Sequence, residues 1–173
     1  MSGRRIEFIF TRRNRRITAD LLDDLAPRTC EAVWSLLGSS ENPRSVGRWP
    51  EKGLVRNARH AGPELFMLIP QAKKAPPIEN QTFRPIPGDV MFIMIEGHNP
   101  NVGGSTANGF WEIALFYDRG ADLEVKHAPG VEGKGWIGSR FAKVPNDQLG
   151  RLLELGNSVW SDGPDKVVLR RLD

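Results

Sequence analysis

The sequence predicts a mainly β fold with two helices, closed into a barrel that the helices cap. Three observations carry this. Thirteen prolines and 18 glycines in 173 residues impose many turns, which suits a fold of short strands. Roughly eight segments of high β propensity follow one another between those turns. Two stretches of helical spacing lie far apart, one from Pro27 and one around Leu149. Residues 1–173 read as a single domain, because a chain of this length buries a sizeable core and neither a repeat nor a linker divides it.

The elements follow in order. Ile6–Phe10 and Ile17–Leu22 form a hairpin around the turn Arg12–Arg16, with Asn14 at its centre. Pro27–Leu37 is a helix, with Pro27 at its first position and Gly38 just past its end. Ala26, Cys30, Val33, Trp34 and Leu37 give it one apolar stripe, which places Cys30 on a core face. Residues 39–53 are polar and turn-rich, with Trp49 as a plug or a lid. Leu54–Ile69 holds one or two strands broken at Gly62-Pro63, and residues 71–78 form an extended connector. Val90–Ile95 is apolar on both faces, as a barrel wall is when a core lies inside and a helix outside. Residues 96–110 form a long glycine-rich loop, a feature that is usually functional or disordered. Glu112–Tyr117, Leu123–Lys126, Arg140–Val144 and Lys166–Arg170 are further strands. Asn146 caps a second helix that carries Leu149, Leu152 and Leu153.

Composition excludes several classes. At 39% hydrophobic and 26% charged the chain is ordinary for a globular protein. Its longest apolar run, the six residues Val90–Ile95, is too short to span a bilayer, and Glu7 interrupts any signal-peptide core. One cysteine cannot form an internal disulfide. A reduced, cytoplasmic protein is expected, with no membrane partner. The net charge of +3 is uneven: six arginines face only Glu7 within residues 1–16, a local excess of five, so the remainder is at −2. No aromatic residue lies among those arginines to stack on bases, so nucleic acid is not expected as a partner. The three histidines are isolated, without zinc-ligand spacing, and Gly103-Gly104-Ser105-Thr106 lacks the P-loop lysine. Neither a metal nor another cofactor is expected.

The candidate site residues are few. Glu112 opens a strand after the long loop and shares a face with Ala114 and Phe116. Turned into the barrel, that face makes Glu112 a general acid or base; at a strand end it is equally a salt-bridge partner. Arg59 suits a substrate carboxylate through its planar fork, or a structural carboxylate such as Glu79 or Glu112. His60 suits proton transfer near neutral pH. His98 lies in the loop, and His127 has no supporting pattern. Asn80 and Thr82 suit ligand hydrogen bonds or their own backbone. Trp111, Trp136 and Tyr117 are pocket walls or core.

Two sets of motifs resemble known families. Ala26-Pro27-Arg28-Thr29 resembles the run that opens the first helix of cyclophilins. More specific is the series Ala58-Arg59-His60-Ala61-Gly62, Glu79-Asn80-Gln81-Thr82, Pro85-Ile86-Pro87-Gly88-Asp89, Glu112-Ile113 with Phe116-Tyr117, and Gly135 to Phe141. In that order it is similar to an uncharacterised bacterial and archaeal family of small proteins with a cyclophilin-like barrel. The chain departs from that family at His60-Ala61, where Trp-Ser is usual, and at Ser139-Arg140, where Asn-His is usual. Its 96–110 loop is also longer.

The resemblance implies a closed cyclophilin-like barrel. It also implies a link to cucumopine synthase, which has a cyclophilin-like domain and condenses histidine with a keto acid. The expected function is therefore a small-molecule enzyme. Arg59 holds an amino-acid or keto-acid carboxylate, Glu112 or His60 moves a proton, and Asn80, Thr82, Trp111 and Tyr117 complete the pocket. One alternative is a non-catalytic binding or scaffold protein, as a homodimer. The other is a peptidyl-prolyl isomerase, although the Phe-Met-x-Gln-Gly-Gly signature of cyclophilins is absent.

Overall fold

The computed structural model describes residues 3–39, 53–71, 74–95, 110–123 and 137–172. Trp49, His98, His127, Trp136 and residues 96–109 of the long loop lie outside them. Eight strands are described: β1 (Arg5–Phe10), β2 (Arg15–Leu21), β3 (Leu54–Ala61), β4 (Glu64–Ile69), β5 (Asp89–Ile95), β6 (Phe110–Phe116), β7 (Ile137–Lys143) and β8 (Asp165–Leu172). They close into an antiparallel barrel in the order β1-β2-β7-β5-β6-β4-β3-β8. Helix α1 (Pro27–Ser39) follows the first hairpin, and α2 (Leu149–Asp162) precedes the last strand. The fold is cyclophilin-like, mainly β with two helices. None of its described helices is long and apolar enough to cross a membrane.

Strand alternation sorts the side chains. Ile6, Phe8 and Phe10 of β1, Leu65, Met67 and Ile69 of β4, Ile113 and Leu115 of β6, and Val167 and Leu169 of β8 all join one buried cluster inside the barrel. α1 adds Ala26, Cys30, Val33 and Leu37 to it, and α2 adds Leu152, Leu155 and Val159. A helix reaches the interior of a closed barrel only through an open end. α1 packs by Trp111, at the start of β6, and α2 by Tyr117, just past its last residue, so the two helices close opposite ends. Cys30 is packed as expected. Its thiol donates to the Phe141 carbonyl at 3.2 Å, and burial pushes its pKa up to about 12, with nearby Asp23 adding to the rise.

The outer face of β5 and β6 is also buried, but not by a helix among the described residues. Met91, Ile93, Ala114 and Phe116 form a second cluster with Ala121 and Leu123 from the segment after β6. Leu123 is a turn residue, and the rest of the strand predicted there lies outside the described residues.

The helix ends differ from the sequence expectation. Asn146 caps nothing with its side chain; it opens a short 3-10 turn, Asn146–Gln148, that leads into α2. Gly38 lies inside α1 rather than beyond it. A Cβ there would fall 2.0 Å from the Arg171 guanidinium, which crosses the Trp34 ring at 4.7 Å and donates to the Trp34 carbonyl. Gly38 is thus a clearance for Arg171.

The start of α1 is held from a distance. Glu79, in the connector before β5, accepts from the Thr29 backbone N–H at 2.8 Å, the Thr29 hydroxyl at 3.0 Å and Arg28 Nε at 2.9 Å. Burial alone would raise the Glu79 carboxyl, but these donors hold it below the ordinary value. Glu79→Ala is expected to cost about 1–2 kcal/mol, the usual worth of a helix cap. Because the folded pKa is depressed, this contribution is complete above the unfolded carboxylate value of about 4.3 and is lost as pH falls through the lower folded value. Urea midpoints of wild type and variant, compared from neutral pH downwards, should therefore converge in acid.

Candidate functional site

Strands β3 and β4 meet over only three rungs, Arg59–Ala61 against Phe66–Glu64. The earlier part of β3, Leu54–Ala58, pairs with β8 on its other edge, while β4 pairs with β6 along its whole length. The two strands therefore splay apart beyond Arg59 and Phe66. The opening holds a cavity of about 120 Å³ lined by Arg56, Asn57, Arg59, Phe66 and Leu68. Its floor is apolar and its rim is cationic.

Two arginines in one small opening need an explanation. Arg56 is half-buried, its guanidinium donates among the described residues to the neighbouring Val55 carbonyl, and burial lowers its pKa. Neither Arg56 nor Arg59 forms an ion pair with a carboxylate among the described residues, so Arg59 takes neither of the structural partners open to it, Glu79 and Glu112. Arg4, Arg13, Arg16, Arg28, Arg140 and Arg170, by contrast, are all ion-paired. Arg59 is exposed at the rim; the half-buried Arg56 guanidinium is partly desolvated without a counter-charge, and a bound anion offsets that cost.

Glu112 lies on the same outer face. It is buried and stands directly across from Leu68, the apolar end of the cavity, and from Ile93 on its other side. The interior-facing orientation considered from sequence does not occur: Trp111 and Ile113 point inward, so Glu112 points out. Arg59 pairs with Phe66, and Phe66 with Ala114, one step along β6 from Glu112 on that face. The structure thus brings Arg59 and Glu112 to one face of the sheet. Arg56, which sequence reasoning missed, starts from the opposite face with Ala58 and His60 and lines the same opening. A spacing of three in a strand separates two side chains, so the sequence offered no signal for this pair.

His60 is not brought to them. Neighbours on a strand point to opposite faces, and His60 shares the inner face with its partner Leu65. Its ring stacks on Trp160 of α2, with centroids 5.4 Å apart and planes at 16°.

The other predicted residues are engaged elsewhere. Asn80, at φ 46°, donates to the Arg140 carbonyl at 2.8 Å and accepts from the Arg140 guanidinium. Thr82 accepts from the Arg84 N–H, a local turn bond. Tyr117 donates to the Gly62 carbonyl at 2.8 Å and lies against α2, and burial raises its pKa. Trp111 meets Phe92 edge to face and lines a separate cavity under α1.

Comparison with solved structures agrees with the fold. The chain is similar to McbB, solved in complex with tryptophan, at 18% identity and a TM-score of 0.59; the match covers 95% of this chain and 44% of that one. The chain therefore spans less than half the length of McbB. It is also similar to the hypothetical protein AF2241 from Archaeoglobus fulgidus, at 15% identity and a TM-score of 0.49, covering 99% of this chain and 96% of that one. Comparison with curated proteins gives no significant match. A family model, described as protein of unknown function (DUF3830), matches residues 9–170, nearly the whole barrel and both helices, and the chain belongs to that family.

Proposed function

We propose that this protein binds a small carboxylate of amino-acid or keto-acid type in the opening between β3 and β4, and that Glu112 exchanges a proton with the bound molecule. The carrying observation is the pair Arg56 and Arg59, both without a carboxylate partner among the described residues and both lining one partly apolar cavity. A carboxylate supplies the missing charge and matches the planar fork of Arg59. Phe66 and Leu68 then contact the apolar part of the ligand, and Leu68 leads to Glu112. A buried carboxylate beside a held substrate is the arrangement that general acid–base chemistry uses. McbB, of like fold, was solved with an amino acid bound, which agrees with the proposed ligand class.

The test is a thermal-shift screen of amino acids and keto acids, since a ligand that binds only the folded state raises its apparent stability. A responding ligand should bind roughly 10–100-fold more weakly to Arg59→Ala, as one charge-assisted contact is worth about 1.5–3 kcal/mol. Glu112→Gln should retain binding and lose turnover. If Arg59→Ala and Glu112→Ala leave both binding and turnover at wild-type levels, the assignment is wrong.

A further inference from the structure

A second cavity, of about 100 Å³, lies at the other side of the interior, between α1 and the rim of the barrel. Its floor is the edge-to-face pair Phe92 and Trp111, with ring centroids 5.4 Å apart. Ile69 and the α1 residues Ala32 and Val33 form its walls, and Lys74 stands at its mouth. Trp111 and Ala32 are each only half-buried, whereas Phe92, Val33 and Ile69 beside them are fully packed.

We infer that this cavity is a binding site for a small monocyclic aromatic carboxylate, separate from the opening at Arg56 and Arg59. Protein interiors close-pack and leave few voids larger than a water molecule. A closed apolar cavity of about 150 Å³ holds benzene; this one, at about 100 Å³, is smaller but opens to solvent beside Lys74, so a single ring seats with its polar end at the mouth. Trp111 and Phe92 line the cavity as an edge-to-face pair, and aromatic rings add favourably to such a pair. Lys74, the one cation among the described residues that line the cavity, selects the polar end of the ligand. Lys74 is exposed and forms no ion pair among the described residues, so its ammonium is available to a carboxylate at the cavity entrance. The aliphatic stem of a lysine at such a mouth adds apolar contact to the ring.

Benzoate, toluene and acetate are the probes, read by thermal shift and by the indole N–H resonance of Trp111, assigned with Trp111→Phe. Benzoate and toluene should both shift that resonance, and acetate should not. Ala32→Leu, which places a larger side chain in the cavity, should weaken benzoate at least about tenfold. Lys74→Met, at an exposed position that leaves folding intact, should weaken benzoate and spare toluene. The Arg56→Ala/Arg59→Ala double variant should keep the benzoate response, which separates this site from the one between β3 and β4. No response of wild type to either ring overturns the inference, as does a benzoate response that disappears in the arginine double variant. A benzoate affinity unchanged in Lys74→Met overturns the carboxylate assignment.

Discussion

Arg13→Ala is expected to be among the most destabilising single substitutions outside the apolar core, at about 3–5 kcal/mol, the usual cost of removing one partner from a buried ion pair. The sequence places Arg13 in a run of arginines at a hairpin turn, where a solvated side chain is the ordinary outcome. The structure folds it inward instead. Its Nε donates to the Ser158 hydroxyl at 2.6 Å, and its Nη2 donates to the carbonyls of Ser158 and Gly163 at 2.8 and 3.0 Å. Its Nη1 lies 3.2 Å from Asp165 Oδ2, whose side chain is fully buried. Arg12 adds a bond to the Asp162 carbonyl. The last turn of α2 has no basic residue of its own, so the first hairpin supplies the cations that a helix C-terminus favours. Loss of Arg13 leaves Asp165 with only the Arg12 and Arg13 backbone N–H groups. Chemical denaturation should show a lower midpoint at unchanged slope. A variant within about 0.5 kcal/mol of wild type would show that water replaces the guanidinium at no cost.

Gly156→Ala should destabilise by about 1–3 kcal/mol, the range for overpacking. That reverses the ordinary sign, since replacing glycine by alanine within a helix normally gains about 1 kcal/mol. Gly156 is buried in α2 against the Tyr117 ring, and a Cβ would fall 2.2 Å from it. The ring cannot retreat easily, because its hydroxyl is anchored on the Gly62 carbonyl. A double-mutant cycle with Tyr117→Ala, which removes the ring atoms from Cγ outward, should recover part of the loss, and additive effects would place the strain elsewhere.

Much of the barrel was legible because hairpins, turns and one amphipathic helix are local patterns. Two dimensions were not. Alternation tells which residues share a face, but not which face is inside. In β6 both sets, Trp111-Ile113-Leu115 and Glu112-Ala114-Phe116, are apolar enough to be core, and all but the half-buried Trp111 are buried. Only closure of the barrel decides between them, and it turns Glu112 outward. Arg59 and His60, expected in one pocket, are separated by the same alternation, since adjacent strand residues face opposite ways. The tertiary dimension was hidden altogether. Neither the reach of Glu79 to α1 nor that of Arg13 to α2 leaves a local signal, since each bridges 50 or more residues. The splay of β3 from β4 was equally silent, because the ladder between them ends after three rungs while β3 keeps β8 as its other neighbour.

That choice of β8 also bears on the order of assembly. β8 forms the seam, pairing with β1 on one side and β3 on the other, and Arg170 reaches across 163 positions to Glu7. Neither edge of the nascent sheet is sealed until the final strand has left the ribosome. Contacts of such wide sequence separation slow folding, placing proteins rich in them in the millisecond-to-second range. Until then β1 and β3 present unpaired backbone to their surroundings, so the interval between synthesis and closure is when this chain is most exposed to self-association.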